Sequence, residues 1–161
     1  MNNGSSKHIV KVAADLGHYI GDAHVPLHTT YNYNGQFSGQ TGIHSLWETH
    51  VYELTIDQRI SRRLEVEDIE VWSMQIINES HSLVEEVLLK EEAVRLIKGA
   101  PQHWGYRTRG RTLELIPTKE FALEHTDSLD GMVQLRFQKS AMAIASAWYS
   151  AWIDAGSPYL N

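Results

Sequence analysis

Apolar residues at Ile9, Ala13, Leu16 and Ile20 recur every three to four positions, the spacing of one helix face. They predict a helix from Ser5 or Ser6, either of which can cap it, to about Ala23 or His24. Ala14, Gly17 and Gly21 form a second face of small residues. A glycine inside a helix costs about 1 kcal/mol against alanine, so a crowded backbone is expected on that face. Pro26 should end the helix just before it.

Thr29–Gly42, with Asn34-Gly35 and Ser38-Gly39, reads as a loop or loose hairpin. A helix is expected from Gly42 to about Leu54, then a connection (Thr55–Leu64) carrying Arg59, Arg62 and Arg63. The longest helical pattern lies between Glu65 and Gly99, with Ile69, Trp72, Ile76, Leu83 and Val87 on one face. Gly99-Ala100-Pro101 should stop it. Residues 101–117 read as irregular and carry Trp104, Tyr106, Arg107, Arg109 and Arg111. A short helix is expected over Thr118–His125. Asp127 or Ser128 should cap the last helix, with the stripe Val133, Phe137, Ala141, Ile144, Trp148, Ala151 and Ala155, ended by Gly156 and Pro158. Strand alternation is weak and no repeat is visible, so the expected fold is all-α, with residues 1–161 forming a single helical domain.

Composition narrows the chemistry. The chain has 161 residues, enough to bury a core without staples. No apolar run reaches the roughly 20 residues of a membrane helix, and Met1–Lys7 does not resemble a signal peptide. A net charge of −6 argues against a broad basic nucleic-acid face, although bound metal would invert the charge locally. With no cysteine, zinc would have to be held by His, Asp or Glu.

The nine histidines then matter. Composition alone predicts roughly one His-x3-Asp/Glu pair by chance. Three occur: His18/Asp22, His44/Glu48 and His81/Glu85. A single pair reads first as a helix-surface hydrogen bond worth a few tenths of a kcal/mol, and His81/Glu85, with no third partner, is read as a surface or core pair. Two pairs joined by His28, just past a helix-ending proline, carry more weight. His28, His44 and Glu48 could offer two nitrogens and one carboxylate and leave a fourth position open, the ligand count of a catalytic zinc. His18 and Asp22 supply only two ligands. His24 is rotated off their face and is read as a packing or hydrogen-bonding residue. Asp15 could orient His18, with a solvated side chain as the default. Tyr31, Tyr33 and Phe37 in the loop could stack a base or border a lipid headgroup, against the plainer alternative of packing. The arginines at 107, 109 and 111 read as a solvated loop before a phosphate contact.

HYIGDAHVPLH followed by GIHSLWE resembles the zinc-dependent phospholipase C and class I single-strand nuclease (3′-nucleotidase) superfamily. Its pattern, His-x3-Asp-x5-His, a loop, then His-x3-Asp or Glu, is present in order. Pro26-Leu27 before His28 and Trp47 before Glu48 fit, and SAWYSAWIDAGSPYL resembles the carboxy end of bacterial members.

The resemblance implies a multi-helix bundle, up to three zinc ions, and hydrolysis of phosphoric esters by metal-activated water with no side-chain nucleophile. His18 and Asp22 would belong to a two-metal cluster that Asp22 bridges, and His28, His44 and Glu48 would hold the third zinc. Substrates would be single-stranded nucleic acid, nucleotides or phospholipid headgroups. Nucleases usually end the ligand set with Asp, and Glu48 is closer to the phospholipases. Family members place the remaining cluster ligands in a long amino-terminal half. Only 17 residues precede His18 here, and His8 lies ~15 Å along the helix axis from it. By the resemblance, the chain is expected to be the carboxy-terminal part of such an enzyme, without the amino-terminal helices, or a shortened relative. One zinc is expected to be fully liganded and the pair site incomplete, in a parent that is exported or periplasmic. Two other readings stand beside this one. The first is a shortened domain that binds one zinc or none without efficient catalysis and self-associates as a homo-oligomer. The second is a plain helical interaction module.

Overall fold

Pro26 has no N–H with which to extend a helix, and α1 (Ser6–Ala23) stops before it, as the sequence predicts. A computed structural model describes residues 6–51, 66, 68–98 and 103–159 of the chain. Pro26–Thr29 forms a 3₁₀ turn. After the turns of residues 30–42, α2 (Ile43–Ser45) continues directly into a π-helical stretch, Leu46–Val51. Helices α3 (Ile69–Ser82) and α4 (Val84–Lys98) follow, then strands β1 (Trp104–Arg109) and β2 (Thr112–Pro117), then α5 (Lys119–Ser128) and α6 (Met132–Asp154). The expected helix end at Leu54, the Thr55–Leu64 connection and the Gly99-Ala100-Pro101 stop lie outside the described residues.

The chain is mostly helical with a small two-stranded sheet, so the all-α expectation needs a correction. Residues 104–117 are not irregular. They form an antiparallel hairpin in which Tyr106 pairs with Leu115 and Arg109 with Thr112. Gly110 (φ 62°) takes the first of the two central positions, where a tight hairpin turn calls for a left-handed residue. The clustered arginines masked the alternation of Tyr106, Thr108, Leu113 and Leu115.

Two further expectations change. The single helix across residues 65–99 is two helices that break at Leu83, whose N–H turns back to the carbonyls of Ser80 and His81. The cause is local. The Ser82 hydroxyl donates to the Glu79 carbonyl, and the Ser80 hydroxyl shares its one proton between the carbonyls of Ile76 and Ala23, a competition that bends and weakens helices. Likewise, Asp127 and Ser128 do not cap α6. Both belong to α5, Ser128 bonds back to the His125 carbonyl, and Gly131 (φ 79°) starts α6.

The predicted stripe of α6 is also rotated. Its buried face carries Met132, Val133, Arg136, Ala143, Ser146, Ala147 and Ser150, whereas Trp148, Ala151 and Ala155 are exposed. The helix is apolar on several sides, so periodicity alone did not choose its face. The small face of α1 does bring it close to α6. A side-chain carbon on Gly17 would lie 3.3 Å from Trp148 and 3.4 Å from Ile144, while Ala14 is exposed. Trp148 fixes the crossing by donating its indole N–H to the Ala13 carbonyl at 2.9 Å.

Among the described residues, three apolar clusters make the interior. Leu27, Ile43, Trp47, Val87, Leu129, Met132 and Val133 lie beneath the loop-bearing face. Ile20, Ile76, Ala143 and Ala147 join α1, α3 and α6. Leu46, Val94, Phe121 and Ala122 join the π-helical stretch to α4 and α5. The first two residues of the π-helical stretch, Leu46 and Trp47, are therefore anchored in different clusters.

His125 is fully buried and neither ring nitrogen has a hydrogen-bond partner among the described residues. Burial holds its pKa down at about 4, against 6.5 for the ordinary group. Because the folded value is the lower, the unfolded chain binds the extra proton first. This contribution to stability is complete above the unfolded value and is lost as the pH falls through 6.5 toward 4. The His125→Leu variant, measured by urea unfolding, should lack about 2 kcal/mol of the loss that the parent shows between near-neutral pH and roughly pH 5. Equal losses in both proteins would contradict the assignment.

Candidate metal centre

Three short pieces of chain bring five side chains into one line. His18 and Asp22 lie on the last two turns of α1, with His18 Nε2 3.3 Å from Asp22 Oδ2. His28 is on the 3₁₀ turn that Pro26 begins, and its Nδ1 lies 3.6 Å from Asp22 Oδ1. His44 is on α2 and Glu48 is one turn later, in the π-helical stretch. His28 Nε2 meets Glu48 Oε1 at 2.8 Å, and His44 Nε2 meets Glu48 Oε2 at 3.1 Å. The two imidazoles stack, with centroids 4.9 Å apart and planes 14° from parallel.

His28, His44 and Glu48 therefore converge. One donor atom from each lies within 4.8 Å of the others. Their side chains are 25%, 27% and 36% exposed, so the notch is half-buried but open to a ligand. Two imidazole nitrogens and one carboxylate oxygen match the protein-ligand set of a catalytic zinc with one position left open. Hydrogen bonds from His28 and His44 hold the Glu48 carboxyl down at about 2, so it is ionised and acceptor-only at neutral pH. The bond to Glu48 pushes the His28 pKa upward.

Local sequence explains the aim of each group. The Thr29 hydroxyl donates to the Pro26 carbonyl and closes the turn on which His28 sits. The loop behind it is tied by its own side chains: Asn32 Oδ1 accepts from the Phe37 N–H, Asn34 Oδ1 from the Gly42 N–H, and the Gln36 amide donates to the Tyr31 carbonyl. Gln40 crosses to α4, where its amide donates to the Leu88 carbonyl and the buried Glu91 carboxylate. Gly42 (φ 105°) starts α2 against the ring of Trp104, where a side-chain carbon would collide.

The remaining sequence candidates divide. Tyr33 belongs to the site, because its ring meets His44 edge-on at 5.8 Å. Tyr31 and Phe37 are exposed, and packing does not account for them. His24 packs as expected, buried and donating its Nδ1–H to the Ile20 carbonyl at 2.7 Å. Asp15 is exposed. Arg107 and Arg109 flank Glu114 on the hairpin, at 3.5 and 4.0 Å, and line a groove with Ser45, the residue after His44.

Sequence reasoning missed two residues. His81, an exposed residue, donates its Nδ1–H to the Thr29 carbonyl at 3.0 Å and braces the His28 turn from α3. Only the fold makes that contact, across 52 positions of sequence. Tyr19, whose ring lies 5.8 Å from that of His18 and is 70% exposed, adds an aromatic on the α1 side. Its adjacency to His18 was the available signal. Among the described residues, no helix is long and apolar enough to cross a membrane.

Comparison with family models, curated proteins and solved structures finds no match to this chain.

The geometry separates the histidines experimentally. His44→Ala should abolish zinc binding measured by chelator competition, because it removes one of three converging donors. His81→Ala should leave the stoichiometry unchanged and weaken affinity less than tenfold, the lower edge of the range for groups that orient a ligand from behind. Equal loss in both variants would show that the wrong histidines have been assigned.

Proposed function

We propose that this chain is a zinc-dependent phosphoric ester hydrolase of the phospholipase C/class I nuclease type, working from the single site His28, His44 and Glu48. The convergence of those three donors on one half-buried notch carries the reading. The multi-helix arrangement and the order His18, Asp22, His28, His44, Glu48 agree with it.

Zinc bound there supplies Lewis acidity and a water acidified toward neutrality. The chain's own part is to hold and aim. Two neutral imidazoles and one carboxylate leave an occupied site with a net charge near +1, which attracts a phosphate anion despite the acidic chain. Tyr33 walls the notch beside His44. Tyr31 and Phe37 present exposed rings from the same loop, on which a base can stack or against which a headgroup can rest. Attack would come from water, and this chemistry requires no side-chain nucleophile.

The second reading, a helical domain that holds one zinc or none without efficient turnover, is favoured by one observation. Among the described residues, His18 and Asp22 are not joined by a third ligand other than His28, whose second nitrogen already faces Glu48.

Elemental analysis with parallel assays on single-stranded DNA, 3′-AMP and phosphatidylcholine decides between them. The proposal expects one zinc per chain and hydrolysis of at least one substrate that falls at least 100-fold in Glu48→Gln. One zinc with no hydrolysis of any of the three selects the second reading. No zinc at all contradicts the proposal and selects the zinc-free form of the second reading.

A further inference from the structure

Asp22 stands between two histidines, with Oδ2 toward His18 and Oδ1 toward Nδ1 of His28. The opposite nitrogen of His28 points at Glu48. An imidazole that ligates through one nitrogen takes its tautomer and ring angle from whatever its other nitrogen meets, and a carboxylate is a common choice. His44 has no such backing. Its Nδ1 is buried without a hydrogen-bond partner among the described residues, and its ring is held by stacking on His28 and by the edge of Tyr33. The aim of both imidazoles thus leans on His28, and that of His28 leans on Asp22.

The family resemblance gives Asp22 a different task, as a bridge between two metals. The described residues offer that role little. Their one group of three or more converging ligands is His28, His44 and Glu48, and Asp22 is outside it. The His18 side chain is 71% exposed, on the solvent side of the carboxylate.

We propose that Asp22 is a positioning residue rather than a metal ligand: its carboxylate faces the Nδ1–H of His28 and turns Nε2 toward the position shared with His44 and Glu48. At 3.6 Å the pair is in ion-pair range and a few tenths of an ångström beyond a full hydrogen bond. Direction, more than bond strength, is what Asp22 contributes. A carboxylate behind the ring also raises the basicity of the ligating nitrogen. This inference rests on the zinc reading of the site.

The test compares the parent protein with Asp22→Asn and, as a control, Asp15→Asn, which removes an exposed carboxylate from the same helix. Zinc affinity is measured by chelator competition, the visible bands of the Co²⁺-loaded forms are recorded, and circular dichroism of the metal-free forms shows that each is folded. The expected result is one metal per chain in all three. Asp22→Asn should bind it 10- to 100-fold more weakly, the usual cost of losing such a partner, with shifted Co²⁺ bands. Asp15→Asn should match the parent in both. Unchanged affinity and spectrum in Asp22→Asn would overturn the inference and leave the zinc site standing. Two or more metals in the parent, with one lost in Asp22→Asn, would make Asp22 a ligand and overturn it also. A parent that binds no metal would overturn both.

Discussion

The carbonyl end of α1 depends on one buried guanidinium. Helix ends leave their last carbonyls without partners, and Pro26 brings no N–H to meet them. Val25 and His24 N–H groups satisfy the carbonyls of Asp22 and Gly21, which leaves those of Ala23 and His24. The Ser80 hydroxyl donates to Ala23. Arg136, only 3% exposed, donates from Nε to His24 at 3.0 Å and from Nη2 to Ser80. Its Nη1 reaches Glu79 at 3.1 Å, and Lys139 joins the same carboxylate. One residue of α6 thus fastens the end of α1 to α3, at the point where the chain turns toward His28. Unpaired, each buried carbonyl would cost on the order of 1–3 kcal/mol.

That fastening is what makes the site possible. Asp22 lies just before the clamp and His28 just after it, so the distance between them is set by how the chain leaves α1. The turn is then braced from α3 by His81 and floored by Leu27, which is fully buried. The other half of the site is placed independently, by Gly42 against Trp104 and by Leu46 and Trp47 in two apolar clusters. The π-helical stretch begins between His44 and Glu48, and such widened turns are common at functional sites because they re-aim side chains. Glu48 bonds to both imidazoles as a result.

Most of the donor set was legible in the sequence because its logic is local. A spacing of four on a helix puts His18 with Asp22 and His44 with Glu48, and Pro26 marks where the first helix must stop. The fold was legible where periodicity was unambiguous, in α1 and in the existence of α5 and α6. It was not legible where a residue's fate was decided from far away. Arg136 is buried because the His24 carbonyl and the Ser80 hydroxyl, on other parts of the chain, need a donor, so the real face of α6 could not be read from its apolar residues. The break at Leu83 depends on serines that prefer backbone carbonyls. The hairpin at 104–117 was hidden by arginines that sit on exposed strand positions. His81 looked like half of a surface or core pair, and only its contact with Thr29 shows its place.

The central claim is that one metal position is shared by His28, His44 and Glu48. X-ray absorption at the zinc edge, on protein loaded with one equivalent, tests it most directly. The account predicts two imidazoles, visible by their outer-shell scattering, with the rest of the first shell made of oxygen at about 2.0–2.2 Å. An all-oxygen shell with no imidazole scattering would contradict it.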